Sequence, residues 1–309
     1  MKKIIRFFDY IFIARPVLMY PVWIFLLAGS WGAERSDEGG VYLKYRSALL
    51  MFTAVTLIMG GAYILNQIQD LETDKINQKF FLLSKEVISI KAAWMEAGSI
   101  IFLGVITGFI LDKSIGLGLI VLFILAGYLY NFAPAKFKDT PLGGMLVNGI
   151  GGYIIYSLGW SMVYEKLIFP IQGISYFFAV LALYINTTLP DIKGDRETNK
   201  ITFSVKYGIK FSVITALVLE ITALLSALYF KDWLLGIPAV LVVPFFIRSY
   251  FKKDISMSLQ ATKFSIAILT VLICIFNLWY IVLVVFVFLM TKLYYYKRFN
   301  FNYPSLKSS

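Results

Sequence analysis

Long apolar runs separated by short polar loops recur from one end of the chain to the other. Runs at about 17–33, 46–67, 92–111, 115–132, 142–163, 170–189, 210–229, 233–248 and 262–293 hold few or no charges. Most approach or exceed the roughly 20 residues a helix needs to cross a bilayer. The pattern predicts an all-α, polytopic membrane protein of about nine transmembrane helices in a bundle. The last run is long, and Asn277 is the position at which it could break into two. Ahead of the first run, residues at about 4–14 read as an amphipathic interfacial helix that ends at Arg15-Pro16.

Composition agrees with that class. The 309 residues are 59% hydrophobic and 15% charged, against roughly 25% charged in soluble domains. The chain begins Met1-Lys-Lys-Ile-Ile-Arg6 with no small-residue cleavage site behind it, so no cleavable signal peptide is expected. The formal net charge is +11. Lys and Arg concentrate in alternate loops, where they set topology and meet anionic headgroups, so no nucleic-acid partner is expected. The bias puts the N-terminus inside, on the cytoplasmic face. A continuous ninth helix would put Lys292, Lys297, Arg298 and Lys307 on the opposite face, against the bias; a break would return them. The single cysteine, Cys274, excludes an intrachain disulfide. The absence of histidine excludes His-ligated zinc or haem and Ser-His-Asp chemistry. No linker or low-complexity stretch divides the chain, which reads as one domain, 1–309.

Two acidic clusters change the picture from architecture to chemistry. One is Asn66-Gln-Ile-Gln-Asp70-Leu-Glu-Thr-Asp74; the other is Asp191-Ile-Lys-Gly-Asp195-Arg196. Four runs separate them, so both lie on the same, positively biased face. Carboxylates are costly in lipid and are rarely kept at its edge without a function. Asn66, Asp70 and Asp74 drift only about 80° around a helix axis and so share one face. Oxygen donors in that array suit Mg²⁺, which takes one or two carboxylates plus waters and phosphate oxygens. Asp191 and Asp195 repeat the i, i+4 spacing behind Pro190, with Gly194 between them, where the helix is expected to break over a cavity.

Phosphate also calls for cations. Tyr130 to Lys136 and Lys138 follow the fourth run on the same face, and Lys75, Lys79, Lys193 and Arg196 sit beside the aspartates. Arg suits bidentate phosphate contacts and Lys acts as a compact point charge. Each of these residues also reads as an ordinary topology marker. Glu220, midway through the seventh run, either lines a pocket or is neutral and hydrogen-bonded.

These segments resemble the two signatures of the UbiA superfamily of intramembrane prenyltransferases. Asn66-Gln-x-x-Asp70-x-x-x-Asp74-Lys75-Ile76-Asn77 resembles the first and Asp191-x-x-x-Asp195-Arg196 the second. Arg15-Pro16 and Tyr130 with Lys136 and Lys138 also resemble family features. The resemblance implies a nine-helix bundle around a central cavity in which two Mg²⁺ ions bind an isoprenyl diphosphate. Asn66, Asp70 and Asp74 would hold one ion, and Asp191 and Asp195 the other. Arg15, Lys75, Tyr130, Lys136, Lys138 and Arg196 would contact substrate. Gln67 and Thr188 stand where many members carry Asp, and Gln78-Lys-Phe-Phe-Leu82 replaces a Pro- and Arg-rich stretch.

The chemistry implied is Mg-dependent transfer of an isoprenyl chain from a prenyl diphosphate to a lipophilic acceptor such as an aromatic quinone precursor. Other acceptors (tetrapyrrole, glycerol lipid or carotenoid) and acceptor-free terpene cyclisation fit the same residues. A cation transporter is the rival of another class. Transporter acids sit near the midplane, whereas these lie at helix ends among basic residues.

Overall fold

The computed structural model describes residues 2–36, 42–76, 80–252 and 255–304, and among them it contains helices and no strands. In chain order these are α1 (Lys2–Ile13), α2 (Met19–Ser36), α3 (Tyr45–Gln69), α4 (Leu71–Ile76), α5 (Ile90–Leu111), α6 (Lys113–Leu122) with a π-helical extension (Phe123–Leu129), α7 (Gly143–Tyr164), α8 (Gly173–Thr188), α9 (Ile192–Glu197), α10 (Phe203–Tyr229), α11 (Trp233–Lys252), α12 (Ile255–Phe276) and α13 (Leu278–Phe299). Short 3₁₀ turns at Pro16–Leu18 and Phe137–Asp139 join them. Seven of the described helices are long and apolar enough to cross a membrane, and 113–129 and 173–188 are shorter apolar helices. The protein is an integral, multi-pass membrane protein.

The interior is built around α2, α3 and α7, whose apolar side chains form the largest buried cluster. Lipid tails offer no hydrophobic drive between helices, so close backbone approach has to supply the packing. The α2–α7 crossing shows how. A Cβ on Gly29 would lie 2.0 Å from the Tyr156 carbonyl oxygen, and one on Gly159 would lie 2.0 Å from that of Leu26. Any larger residue at either position forces these two helices apart. Many side chains on α5, α10 and α13 are instead exposed apolar groups, as lipid-facing helices require.

The ninth apolar run is two helices. At Asn277 the backbone leaves helical geometry (φ −132°, ψ 79°), and α13 runs back along the bundle. Phe276 and Trp279 pack on Trp31 and Phe52 at one end, while Tyr294 and Tyr295 pack on Phe12 at the other. Lys297 and Arg298 therefore end beside α1, on the face that carries both acidic segments, as the charge bias requires. Helix α12 starts earlier than the apolar run does. One side of its polar first turns is buried, with Ser258 bonded to Ser249 of α11 (2.5 Å) and its carbonyl accepting from Asn186 Nδ2 of α8 (3.4 Å). Helix α10 also starts earlier and kinks at Gly208, whose φ of 77° is left-handed and suits glycine.

Candidate active site

The first acidic segment is where α3 stops. The run Ala54–Leu65 carries the helix to Gln69, and Asp70 caps it with a non-helical backbone (φ −94°, ψ 7°), its N–H bonded to the Asn66 carbonyl at 2.9 Å. Helix α4 then resumes, and the Asp74 N–H donates to the Asp70 carbonyl at 2.7 Å. Asn66 Nδ2 donates to Asp70 Oδ2 (3.1 Å) and to Asn131 Oδ1 (2.8 Å). Asn131 is fully buried and donates back to the Gly127 carbonyl at 2.9 Å. That carbonyl lies in the π-helical stretch, a geometry that frees backbone groups and recurs at functional sites.

The loop after this stretch folds back onto Asp70. Lys136 takes a left-handed backbone (φ 35°) and pairs with Asp139 at 2.6 Å. The turn delivers Lys138, 7% exposed, to Asp70 Oδ1 at 2.9 Å. Lys200 reaches the same oxygen at 3.2 Å from the segment after α9. That segment is fixed to the second acidic cluster. The Lys200 N–H donates to the Asp195 carbonyl (2.8 Å), Thr202 Oγ1 donates to Asp195 Oδ2 (3.0 Å), and the Ile201 N–H donates to the Asp139 carbonyl (3.1 Å). The two acidic segments are thus joined through Lys200 and the Lys138 loop.

Burial pushes the Asp70 carboxyl up, but the ammonium groups of Lys138 and then Lys200 outweigh it and hold it below the usual carboxylate range. Burial likewise depresses the Lys138 ammonium, with Asp70 pulling the other way. Lys200 is less buried, and Asp70 raises it above the usual lysine value. Two ammonium groups thus share one carboxylate oxygen, and the Lys138 Nζ has no aligned acceptor among the described residues.

Beside this network a cavity of about 440 Å³ opens into the bundle. Its walls are apolar side chains of α2, α3, α6, α7, α8 and α12, and its polar end carries Arg15, Asn66, Tyr130, Asn131, Asn148 and Tyr184. The Tyr130 hydroxyl is engaged by Asn148 and Tyr184. Arg15 has a left-handed backbone (φ 55°, ψ 63°), and its guanidinium lies 4.4 Å from the Phe81 ring centre.

The remaining sequence candidates fall around this centre. Asp74 is buried, Asp195 half-buried, and Asp191 and Arg196 exposed. Lys75 is exposed and pairs with Glu86 at 2.6 Å. Lys193 is exposed, and Lys79 lies outside the described residues. Gln67 and Thr188, the two departures from the Asp pattern, bond within the fold. Gln67 donates to the Ile13 carbonyl (2.7 Å), and Thr188 shares a buried bond with Ser204 (2.7 Å). Glu220 is buried in α10 away from the cavity walls, and its Oε2 has no hydrogen-bond partner among the described residues. Sequence reasoning missed Lys200, Asn131, Asn148 and Tyr184. Asn131 adjoins Tyr130 and could have been found there; the others carry no periodic or spacing signal.

Among the described residues no three acidic side chains come together as a metal-ligating group. The donors at the end of α3 nevertheless fit a hard cation. The Asp70 and Asp74 carboxylates offer oxygens, Asp70 already carries two positive charges where a metal ion would compete, and Asn66 meets Asp70 with its amide nitrogen, so its oxygen would have to turn to join them.

A model of the UbiA prenyltransferase family matches residues 22–264. A probable homogentisate phytyltransferase 2 from Oryza sativa is 28% identical over 174 residues, 50% of this chain and 44% of the rice protein. A digeranylgeranylglyceryl phosphate synthase from Saccharolobus solfataricus is 25% identical over 242 residues, 74% of this chain and 79% of its own. A 2-acylphloroglucinol 4-prenyltransferase from Humulus lupulus is 28% identical over 204 residues, 60% of this chain and 46% of the hop protein. The match therefore spans less than half the length of the rice and hop relatives. A UbiA homolog from Archaeoglobus fulgidus bound to GPP and Mg²⁺ has the same fold, with a TM-score of 0.64 at 18% identity over 84% of this chain and 99% of that one. An apo UbiA homolog from Aeropyrum pernix gives 0.66 at 16% identity over 82% and 95% of the two chains.

Proposed function

The chain belongs to the UbiA prenyltransferase family, and from that premise we propose that it transfers an isoprenyl group from a prenyl diphosphate to a lipophilic aromatic acceptor at the polar end of the cavity. The observation that carries this reading is the placement of two ammonium groups, Lys138 and Lys200, on Asp70, which is bonded to Asn66 in the wall of an apolar cavity. A site that pairs cations with an acidic helix end is built for an anion held with a metal. An apolar volume of about 440 Å³ is of the size that takes a small lipophilic molecule.

Asn66, Asp70 and Asp74 would hold one Mg²⁺, and Asp191 and Asp195 a second. When bound, Mg²⁺ supplies neutralisation of the charge that develops on the diphosphate as the allylic C–O bond breaks. Lys138 and Lys200 turn from Asp70 to the diphosphate oxygens and add charge-assisted hydrogen bonds there. Tyr130 and Arg15 complete the polar end, and Lys136, paired with Asp139 outside the cavity wall, adds positive charge nearby. The apolar walls exclude water from the allylic cation, so the acceptor is the nucleophile within reach. The acceptor proton leaves to a carboxylate, water or the released diphosphate. Tyr63, Phe25, Tyr130 and Tyr184 line the cavity and favour a planar aromatic acceptor. The rice and hop relatives named for aromatic acceptors support the same reading. The basic loops on the site's face support a cytoplasmic orientation.

The test is to supply the protein in nanodiscs with radiolabelled prenyl diphosphates of several lengths and a panel of acceptors, then identify the lipid product. The expected result is Mg-dependent alkylation of an aromatic acceptor. Product only with a glycerol-phosphate ester would replace the acceptor class, and diphosphate release with a cyclised hydrocarbon would replace the reaction. No release of diphosphate from any donor sinks the proposal.

A further inference from the structure

Helix α1 turns an acidic side chain toward the protein. Phe7, Phe8, Tyr10 and Ile11 are exposed, while the acidic Asp9 is 3% exposed, on the inner side. A carboxylate is buried only with strong partners, and among the described residues the hydrogen-bond partners of Asp9 come from α13. Tyr294 Oη donates to Asp9 Oδ1 at 2.6 Å, Arg298 Nε to Oδ1 at 3.1 Å, and Arg298 Nη2 to Oδ2 at 3.2 Å. One turn on, Phe12 stacks on Tyr294 with ring centres 4.0 Å apart. The end of α1 is gripped from another side by Gln67, whose amide donates to the Ile13 carbonyl.

Arg15 comes two residues later. Its left-handed backbone is uncommon for a residue other than glycine and persists where surrounding structure over-determines it. Its guanidinium sits on Phe81, and the neighbouring Phe80 stacks on Phe301 (4.6 Å) in the tail that follows α13. The backbone and the side chain of Arg15 are therefore both held by elements that lead back to α13. The segment Phe80-Phe81, which replaces the family's Pro- and Arg-rich stretch, has this seating role here.

We propose that Asp9, Tyr294, Arg298 and Gln67 form a clasp through which α13 positions Arg15 at the mouth of the cavity. These are positioning residues, and the assignment rests on the reading of the cavity as the substrate site. Arg298→Gln and Asp9→Asn open the clasp, and Arg298→Lys keeps its charge.

Hydrogen exchange in nanodiscs tests the clasp without turnover. In Arg298→Gln, residues 10–18 should exchange about tenfold or more faster, as expected for loss of charge-assisted bonds, with residues 45–69 unchanged. Arg298→Lys should restore part of the protection. Unchanged exchange at 10–18 overturns the proposal, whatever the reaction is. Kinetics then asks whether the clasp acts through Arg15. Arg298→Gln should raise KM several-fold with kcat within about twofold, and have no further effect in an Arg15→Gln background. An equal rise in KM in both backgrounds overturns it, because α13 then acts by another route. An Arg15→Gln enzyme with unaltered KM removes the substrate role given to Arg15, while the exchange result still decides whether the clasp holds it.

Discussion

Asp70 and Asp191 open two segments of one spacing, Asp-x-x-x-Asp, but they are held very differently. Asp70 ends a 25-residue helix, is bonded to Asn66 and carries two ammonium groups on one oxygen. Asp191 is exposed at the start of a six-residue helix, and Asp195 accepts from Thr202. The first segment is preorganised by the protein's own cations, and so it contributes to the fold as well as to the site. The second has fewer contacts of its own, as expected of a segment that a ligand would order. Equal importance to turnover and unequal importance to stability are the consequence.

Substitution at the two aspartates should give the largest effects and separate those roles. Asp70→Ala and Asp191→Ala should each lower turnover by about 10³-fold or more, since each removes several kcal/mol of leaving-group stabilisation. Asp70→Ala also leaves the buried Lys138 without its carboxylate, costing roughly 1–3 kcal/mol of stability. Asp191→Ala should stay within about 0.5 kcal/mol of the parent. Paired measurement of turnover and Tm in detergent decides the point. Equal Tm losses would erase the contrast between the segments, and near-normal turnover in either variant would break the two-segment site.

Metal removal sharpens the same contrast. EDTA should abolish turnover, with recovery on adding Mg²⁺ or Mn²⁺, because the donors are oxygens alone. The Tm of the substrate-free protein should barely change on chelation, since Lys138 and Lys200 already neutralise Asp70. A large fall in Tm on chelation would mean that the metal, and not the lysines, holds the first segment in place.

The lysines come next in size. Lys138→Gln and Lys200→Gln should each raise the KM for the prenyl diphosphate roughly ten- to a hundredfold, the value of a charged hydrogen bond lost in binding. If Lys138 serves topology alone, its KM will not move, and the diphosphate is then held by Arg15 or Arg196. A Lys75→Gln control should have little effect, because Lys75 is exposed and its partner is Glu86.

Sequence and structure divide along the same line. The helices were legible because hydrocarbon forces long apolar runs, and α3, α5 and α7 begin and end within a few residues of theirs. The split at Asn277 was legible as one polar residue in an apolar run. The early starts of α10 and α12 were not, because their first turns mix exposed polar residues with a few, such as Ser204 and Ser258, that are buried against other helices. In the site, Asn66, Asp70 and Lys138 could be read because spacing and topology bring them to one face. Lys200 could not. It stands in a short loop beyond α9 and reaches Asp70 only through tertiary folding, 130 residues away in sequence. Gln67 was read as a departure in a metal-binding pattern, and only its bond to Ile13 shows what it does instead.

The smallest effect concerns the position in the second segment where an acidic ligand is replaced. Thr188 is buried, and its hydroxyl meets that of Ser204, itself fully buried, at 2.7 Å. Thr188→Val keeps the shape and removes the hydroxyl, which leaves Ser204 unpaired in an apolar surrounding. That should cost about 1 kcal/mol of stability, seen as a drop of a few degrees in Tm. Turnover and the Mg²⁺ concentration for half-maximal rate should stay at parental values, because Thr188 belongs to the α8–α10 contact and not to the ion. A normal Tm with a raised Mg²⁺ requirement would reverse that assignment and make Thr188 a neutral ligand in place of the missing carboxylate. The second segment would then offer three ligands, as proposed for the first, and the difference between the two would lie in their cations alone.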